Sequence, residues 1–360
     1  MENHDDAVRE KTPHTLIFNA ATMIVKLLRP ARFDYPKDSN LLGIIHYDTE
    51  FRPPDTASEV PELSIHMARE KRETISELWR SLEPVRYGSD GSIRYSCNSD
   101  VMFGALSYPV DNGRLSAPTK KAYKGMLDFI SKREYPHLFR IWNFIPNINR
   151  DNPDGLETYR DFCWGRADGF YEFFRENLED EHTVSEHAMP AATGIGSLSG
   201  EVCIYFLTSR LHCENHLENP RQMQAYRYPN KYGPRSPSFS RATHIEIGNS
   251  IEQLYISGTA SIIGHETVHI GDIRNQTKTT LENISILISA ENLARYGISD
   301  ELYLQDLTSV KVYVREKNHL PIVKDFCEEF LCPDVTVAYF IVDICRSDLL
   351  VEIEGITDQI

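Results

Sequence analysis

Residues 257–288 read SGTASIIGHETVHIGDIRNQTKTTLENISILI, and much of the C-terminal fold can be predicted from them. The stretch starts in a β-branched run and passes through a Gly-Asp pair at 271–272. Apolar residues then recur at three- and four-residue spacing, which gives a helix one apolar face. These residues are Leu281, Ile284, Leu287 and Ile288. The stretch therefore predicts a strand, a turn and a helix over about 276–293.

The sequence on both sides extends this unit into the order ββαβαββ. The strand signals are β-branched runs, and in one of them Val310, Val312 and Val314 alternate with Lys311 and Tyr313. The predicted strands are 243–247, 254–263, 310–314, 335–344 and 349–356, and the second helix is 319–330. This order predicts an α+β fold in which the helices pack on one face of a sheet.

The N-terminal half has a weaker pattern. Aromatic residues at helical spacing predict a long amphipathic helix over 155–177, and shorter helices are predicted at 19–28 and 121–130. With 360 residues, the chain is long enough for two domains or for one large domain with a duplicated core.

The segment 214–241, rich in Pro, Asn, Ser and Tyr, separates the two halves. We therefore divide the chain into a flexible tail (1–13), an N-terminal α+β domain (14–213), this segment, which is too patterned to be a passive linker, and a C-terminal domain (242–360).

Composition argues against several classes of partner. The net charge is −15 and no basic run is present, so nucleic acid is not expected. An acidic surface disfavours anionic membranes, and no apolar run approaches the roughly 20 residues that cross a bilayer. Residues 1–13 lack the apolar core of a signal peptide, and the seven cysteines form no CxxC pair. We expect free thiols in the cytoplasm and a small-molecule partner.

Two sets of motifs resemble known families. The opening stretch and LLVEIEGI at 349–356 resemble the Rid (YjgF) fold. The matching residues are Asp272, Gln276, Thr277, Leu281, Glu282, Asn283 and Val351 to Glu354. YRYPNKYGPRSPSFSRA at 226–242, together with RIWNFIPNIN at 140–149 and GLETYRDFCWGR at 155–166, resembles the chorismatases, which have a Rid-like core.

The resemblance, over about residues 138–357, implies two Rid-like halves and an enzyme that cleaves the enol-pyruvyl ether of chorismate without a cofactor. Rid proteins are trimers with sites between subunits, but the additional half of this chain can supply both walls, so a monomer is expected. Imine deamination is not expected. The arginine turn of the imine-hydrolysing Rid enzymes is replaced here by Cys-Pro-Asp-Val-Thr at 332–336.

Four residues are implied to bind the two carboxylates of chorismate. Arginine suits this role because its planar fork binds a carboxylate with two hydrogen bonds. Tyr159 and Arg166 are seven residues apart and project from nearly the same helix face. Tyr226 and Arg235 lie in the Pro-rich segment, and Arg241 is a further candidate. Without the resemblance, such residues would be assigned to packing or to surface ion pairs.

The strand at 349–356 places Glu352 and Glu354 on one face. Two glutamates in an arbitrary strand usually form a solvated polar face, but the resemblance implies that Glu352 is the acid that protonates the enol methylene. It must then stay protonated near neutral pH, against a reference pKa of about 4.3. Burial and a nearby anionic group would raise the pKa in that direction.

Protonation leads to one of two products. Water can attack, giving pyruvate and a dihydroxycyclohexadiene carboxylate, or the neighbouring ring hydroxyl can displace the pyruvyl oxygen, giving a hydroxybenzoate. The resemblance links Gly258 and Cys345 to hydroxybenzoate formation. Gly258 leaves room for the ring, and Cys345, as a polarisable and weakly acidic thiol, can relay a proton or hold the intermediate. We therefore predict 3-hydroxybenzoate, with 4-hydroxybenzoate or the diene as alternatives. The residues alone are equally consistent with a strand bend at Gly258 and a buried apolar Cys345.

His265-Glu266-Thr267-Val268-His269 matches the H-E-x-x-H signature of zinc peptidases. That signature binds zinc only on a helix, where the two histidines share a face. Here it follows a β-branched run and precedes Gly271, which predicts a strand or turn, so we predict no metal site. The alternatives to a chorismate-cleaving enzyme are a non-catalytic Rid-like binder and a metallopeptidase.

Overall fold

A computed structural model of the chain describes residues 25–30, 40–52, 58–71, 74–177, 189–247 and 251–358. The predicted tail, 1–13, lies outside these residues. No helix among them is long and apolar enough to span a membrane.

The described residues form eighteen strands and five α-helices. The strands are β1 Val25–Pro30, β2 Leu41–Asp48, β3 Glu62–His66, β4 Ile75–Arg80, β5 Arg86–Asp90, β6 Ile93–Cys97, β7 Val101–Tyr108, β8 His137–Pro146, β9 Ala191–Ser197, β10 Val202–Ser209, β11 Glu214–Leu217, β12 Ala242–Ile247, β13 Ile251–Ala260, β14 Ile262–Ile263, β15 Glu266–Thr267, β16 Leu307–Val314, β17 Thr336–Ile341 and β18 Val351–Asp358. The helices are α1 Ser116–Lys132, α2 Thr158–Asn177, α3 Ile273–Leu287, α4 Ala290–Ala294 and α5 Leu320–Phe330.

Two six-stranded sheets have the same topology. One has the order β5-β6-β7-β10-β8-β9 and the other β11-β12-β13-β18-β16-β17. Numbered along the chain, both read 1-2-3-6-4-5, and in both the only parallel pair is 4–5. A helix, α2 or α5, joins those two parallel strands. The prediction of an α+β fold with two similar halves is confirmed.

A third, four-stranded sheet repeats part of this topology. Its order is β1-β4-β2-β3, which corresponds to positions 3-6-4-5 of the larger sheets. Strands β2 and β3 are parallel, and the other pairs are antiparallel, as at the corresponding positions. The described residues therefore contain three versions of one sheet, and four strands of the first version are described.

Alternation along the strands creates separate apolar layers. Side chains such as Phe103 and Tyr313 form a core in which all three sheets meet. Phe162 packs in a second core between one six-stranded sheet and α1 and α2, and Leu281 packs in a third beneath α3 and α5. The helices thus cover one face of each six-stranded sheet, and the other face points inward, as predicted for an α+β layer.

The helix predicted over 276–293 is two helices, because each has its own N-cap. The Asp272 carboxylate accepts a hydrogen bond from the backbone N–H of Asn275 at the start of α3. The Ser289 hydroxyl accepts one from Asn292 at the start of α4. A short apolar spacing cannot distinguish a continuous helix from two capped ones.

In the N-terminal half, the helices predicted at 121–130 and 155–177 are present as α1 and α2. The helix predicted at 19–28 is wrong over its described residues. Residues 25–30 form β1, whose backbone pairs antiparallel with β4. Pairing with a strand about 50 residues away is not encoded in local spacing, so this tertiary interaction overrides the helical pattern.

The sheets meet at a cluster of buried charges. Glu77, Tyr205 and Glu354 hold equivalent positions, each two residues before an irregularity in the pairing of its sheet's last strand. The Lys311 ammonium lies 2.6 Å from the Glu354 carboxylate, 3.2 Å from Glu77 and 2.9 Å from the Tyr205 hydroxyl. Arg140 also donates to Glu354, at 2.8 Å. Two carboxylates are therefore neutralised by two cations.

Replacing Lys311 with Met should lower the free energy of unfolding by about 3–5 kcal/mol, because two buried carboxylates lose their shared cation. Chemical denaturation measures the change. The control is Lys120→Met, which breaks the exposed Lys120–Glu172 pair and should cost no more than about 1 kcal/mol. Equal losses in the two variants would contradict the structural role given to Lys311.

Candidate active site

A cavity of about 170 Å³ lies where the start of α2, the segment 214–241 and the C-terminal sheet meet. Its walls combine a strand carboxyl with several tyrosines and arginines. The polar and aromatic lining residues are Glu157, Tyr159, Arg160, Tyr228, Tyr232, Phe239, Arg241, Cys345, Arg346, Ser347, Asp348 and Glu352. Both halves of the chain contribute residues to its walls.

Glu352, on β18, is the acidic group of this cavity. Its side chain is almost fully buried, and the Cys345 thiol donates a hydrogen bond to it at 3.8 Å. Burial, and then the neighbouring charge of Glu354, raise the pKa of Glu352 to about 8. The Cys345 hydrogen bond and the charges of Arg140 and Arg241 act in the opposite direction. At neutral pH the carboxyl is therefore mainly protonated and can act as an acid.

The two strand glutamates lie on one face, but it is not a solvated face. Glu354 is enclosed by the charge cluster, while Glu352 borders the cavity. The strand register places Cys203 and Ile75 at the positions equivalent to Glu352 in the other two sheets. Of the three equivalent positions, only the one in the C-terminal sheet carries a carboxyl group.

Gly258 makes room for the acid. A Cβ atom at this position would overlap the Oε1 atom of Glu352. The pairing of β13 with β18 is also irregular between Ile256 and Thr259, so the glycine lies at a distortion of the strand. The space that was predicted to accommodate the ring is therefore occupied first by the Glu352 carboxyl.

Five of the eight residues proposed from the sequence line the cavity: Tyr159, Arg241, Gly258, Cys345 and Glu352. Tyr226 does not line it and packs instead against the core around α1 and α2.

Arg166 and Arg235 also do not line the cavity. The Arg166 guanidinium is buried over the rings of Tyr123 and Phe170, at 5.3 and 5.8 Å. Arg235 is half-exposed and pairs with Asp168 at 3.1 Å. Two helical residues seven positions apart share a face but are separated by about 10 Å along the axis. Tyr159 therefore reaches the cavity, while Arg166 lies two turns beyond it. We therefore withdraw both arginines as carboxylate clamps.

Arg346 was missed from the sequence, although it directly follows the singled-out Cys345. Its guanidinium stacks 4.1 Å from the ring centroid of Tyr232 and 5.2 Å from that of Tyr228. It also donates to the His265 carbonyl at 2.9 Å. These contacts fix a permanent positive charge beside the cavity.

Arg241 supplies a second fixed cation. It is buried and donates to the Tyr228 hydroxyl at 2.8 Å. Its Nε atom has no hydrogen-bond partner among the described residues and lies 3.9 Å from Glu218. Burial raises the pKa of Glu218 to about 7, so this carboxyl neutralises Arg241 only in part. The cavity therefore keeps a positive potential suited to an anion.

The H-E-x-x-H motif lies beside the cavity, where His265 contacts the lining residues Tyr232 and Arg346. Glu266 and Thr267 are strand β15, and His269 has a φ of 59°, so the motif is not helical. The strand-or-turn prediction is confirmed. The Tyr232 hydroxyl donates to the His265 carbonyl at 2.6 Å, which ties the motif to the Tyr-rich segment.

Together, the fold and the cavity define an α+β protein with a buried carboxyl group of raised pKa beside fixed arginines. Comparison with known proteins agrees. A family model described as chorismatase FkbO/Hyg5-like, N-terminal, matches residues 77–208. A 3-hydroxybenzoate synthase of Streptomyces hygroscopicus is 40% identical over 350 residues, covering 96% of this chain and 99% of the relative.

A chorismatase of Streptomyces rapamycinicus is also 40% identical, over 324 residues that cover 90% of this chain and 94% of the relative. The crystal structure of a chorismatase aligns with a TM-score of 0.85 at 35% identity, covering 94% of this chain and 100% of that one. The chain belongs to the chorismatase family, and the resemblance predicted from its motifs is confirmed.

The raised pKa of Glu352 should appear in the pH dependence of stability. Between its ordinary pKa of 4.5 and about 8, the native carboxyl holds a proton that the unfolded chain releases. The wild type should therefore lose stability relative to Glu352→Gln as the pH rises through this window, by on the order of 3–5 kcal/mol in total. Urea unfolding at pH 5 to 9 measures this difference.

The matched control is Glu246→Gln, which removes an exposed carboxylate from β12. Its stability should follow that of the wild type across the same pH range. A difference between wild type and Glu352→Gln that does not vary with pH would contradict the raised pKa.

Proposed function

We propose that the protein cleaves chorismate to pyruvate and 3-hydroxybenzoate, with Glu352 as the general acid. The observation that carries this proposal is a carboxyl group with a pKa near 8 in a cavity bordered by two fixed arginines. The sequence relatives support the substrate, since their names are chorismatase and 3-hydroxybenzoate synthase.

Arg241 and Arg346 replace Arg166 and Arg235 as the groups that bind the substrate carboxylates. Chorismate is a dianion, and each guanidinium can bind one carboxylate. Tyr159 and Tyr228 line the same cavity, and their hydroxyls are suited to position the substrate by hydrogen bonds. Fixing both ends of the ligand would place the enol methylene against Glu352, which is the geometric requirement for proton transfer.

The reaction begins when Glu352 protonates the enol methylene, leaving an oxocarbenium-like centre. The bond between the ether oxygen and the ring carbon then breaks, and its electron pair forms the ketone of pyruvate. The neighbouring ring hydroxyl attacks that ring carbon and releases its proton. Its original carbon–oxygen bond then breaks as the ring loses a proton and becomes aromatic. Of the two protons released, one is taken up by the phenolate oxygen and the other restores Glu352, so chorismate yields pyruvate and hydroxybenzoate without water.

Cys345 favours this outcome as a neutral thiol. Burial, together with the nearby Glu352, raises the pKa of Cys345 well above its usual value, so the sulfur is not a thiolate at neutral pH. We therefore revise its suggested role as a proton relay. It donates to Glu352 and fills the space beside the acid with a polarisable sulfur, which limits the access of water to the oxocarbenium centre.

The second candidate is hydrolysis to the dihydroxycyclohexadiene carboxylate. It uses the same acid and the same arginines and differs only in whether water reaches the cationic centre. The 3-hydroxybenzoate synthase and the chorismatase described above have the same sequence identity to this chain, 40%. Gly258 and Cys345 together favour the aromatic product. We also infer a monomer, because one chain supplies both walls of the cavity.

Glu352→Gln should lower kcat by ~10²–10⁴, the usual contribution of a general acid, while binding is largely kept. Glutamine preserves the size and hydrogen bonding of the side chain but has no transferable proton. Pyruvate release from chorismate gives the rate. Glu352→Asp keeps the proton but shortens the side chain, so it should retain more activity than the glutamine variant. Near-normal turnover by Glu352→Gln would refute the assignment.

Replacing Arg346 with Gln should weaken chorismate binding by roughly 2–5 kcal/mol, the scale for removing one partner of a buried charge pair. Arg241→Lys tests the other clamp, since lysine keeps the charge but not the bidentate geometry. The effect is measured as the change in KM, or as the change in Kd for chorismate when the arginine is replaced in the Glu352→Gln variant. Arg235→Gln should leave both values unchanged, and a comparable loss in that variant would restore the original assignment.

Cys345→Ala should shift the ring product from 3-hydroxybenzoate towards the dihydroxy diene, while pyruvate release continues. The smaller side chain opens space for water beside the acid. Chromatography of the ring products from wild type and variant measures the ratio. A wild type that makes only the diene, or a variant that makes only hydroxybenzoate, would exclude this role for Cys345.

A further inference from the structure

A second cavity, of about 610 Å³, lies at the far end of α2 and shares no lining residue with the catalytic cavity. One side is apolar and includes Leu138, Phe170 and Phe174. The polar side includes His137 and Glu214. The reaction described above uses none of these residues.

Three potential metal ligands converge at this cavity. His137 begins β8, His212 lies between β10 and β11, and Glu214 begins β11. The His137 Nδ1 atom lies 3.0 Å from Oε1 of Glu214, and the His212 Nδ1 atom lies 3.1 Å from Oε2. All the donor atoms are within 4.8 Å of one another.

The two nitrogen–oxygen separations are close to those between neighbouring donors around a transition-metal ion. Zinc binds imidazole nitrogen and carboxylate oxygen at about 2.0–2.2 Å, so neighbouring donors in a tetrahedral site are about 3.3 Å apart. A small displacement of the side chains would place an ion at bonding distance from all three. Two imidazoles with one carboxylate is a donor set used by zinc and by iron(II), whereas magnesium and calcium prefer oxygen.

The charge balance points the same way. The Glu214 side chain is only 10% exposed. Among the described residues, the cavity lining contains no lysine or arginine. Oε2 of Glu214 accepts a hydrogen bond from the backbone N–H of Cys213 at 2.9 Å, and a bound cation would compensate the charge of this largely buried carboxylate.

We propose that His137, His212 and Glu214 bind one divalent transition-metal ion at the mouth of this cavity. Three protein donors leave coordination positions open for water. The three ligands come from both halves of the chain, so the ion would also crosslink β8 to the start of the C-terminal sheet.

The test is zinc binding to full-length protein freed of metal with a chelator, measured by competition with a chromophoric chelator. We expect one equivalent for the wild type, and loss of that equivalent in Glu214→Gln and His137→Gln. His216→Gln is the matched control, since His216 lines the same cavity but its Nδ1 atom contacts the Thr243 hydroxyl at 2.9 Å. This variant should retain the equivalent.

Zinc should also raise the Tm of the wild type and of His216→Gln, but not that of the two ligand variants. Tm values measured without metal will show whether each variant is folded. Absence of stoichiometric binding in the wild type would overturn the proposal and leave a hydrogen-bonded ion pair. Binding that survives in Glu214→Gln but disappears in His265→Gln would also overturn it, because the ion would then belong to the H-E-x-x-H motif.

Discussion

Lys311 is buried between the carboxylates of Glu77 and Glu354, and the three sheets are assembled around these charges. Each carboxylate comes from the last strand of a different sheet. Charges without solvent are stable only when their partners are in place, so correct assembly of the sheets and neutralisation of the charges require each other. Arg140, on β8 of the first six-stranded sheet, supplies the second positive charge.

The same cluster fixes the position of the neighbouring carboxyl group, that of Glu352. Glu354 and Glu352 alternate with apolar residues on one strand, so satisfying the first in the cluster fixes the second beside the cavity. The cluster contains as many positive as negative groups, so burial remains the dominant influence on the pKa of Glu352. A structural ion-pair network and a carboxyl group of raised pKa can therefore occupy neighbouring positions.

Because one sheet topology is repeated, the position of Glu352 has an equivalent in each of the other two sheets. Three sheets offer three equivalent positions, occupied by Ile75, Cys203 and Glu352. The other walls of the cavity come from the start of α2 and from the segment 214–241. These connections differ from those elsewhere in the described chain. Repetition thus provides the scaffold, and the divergence of a few side chains leaves a carboxyl group at one of the three equivalent positions.

Local periodicity was enough to predict the C-terminal order ββαβαββ, helix α2 and the shared face of Glu352 and Glu354, because each depends on residues close in the chain. It failed for β1, whose partner strand is remote, and for Arg166, which shares a helical face with Tyr159 but lies two turns away. Whether a glutamate borders solvent, a lysine or a cavity depends on segments that are remote in the sequence, such as Lys311 for Glu77 and Tyr159 for Glu352. Arg241, Arg346 and the environment of Glu352 were therefore fixed only when the three sheets packed together, because burial and charge act through space.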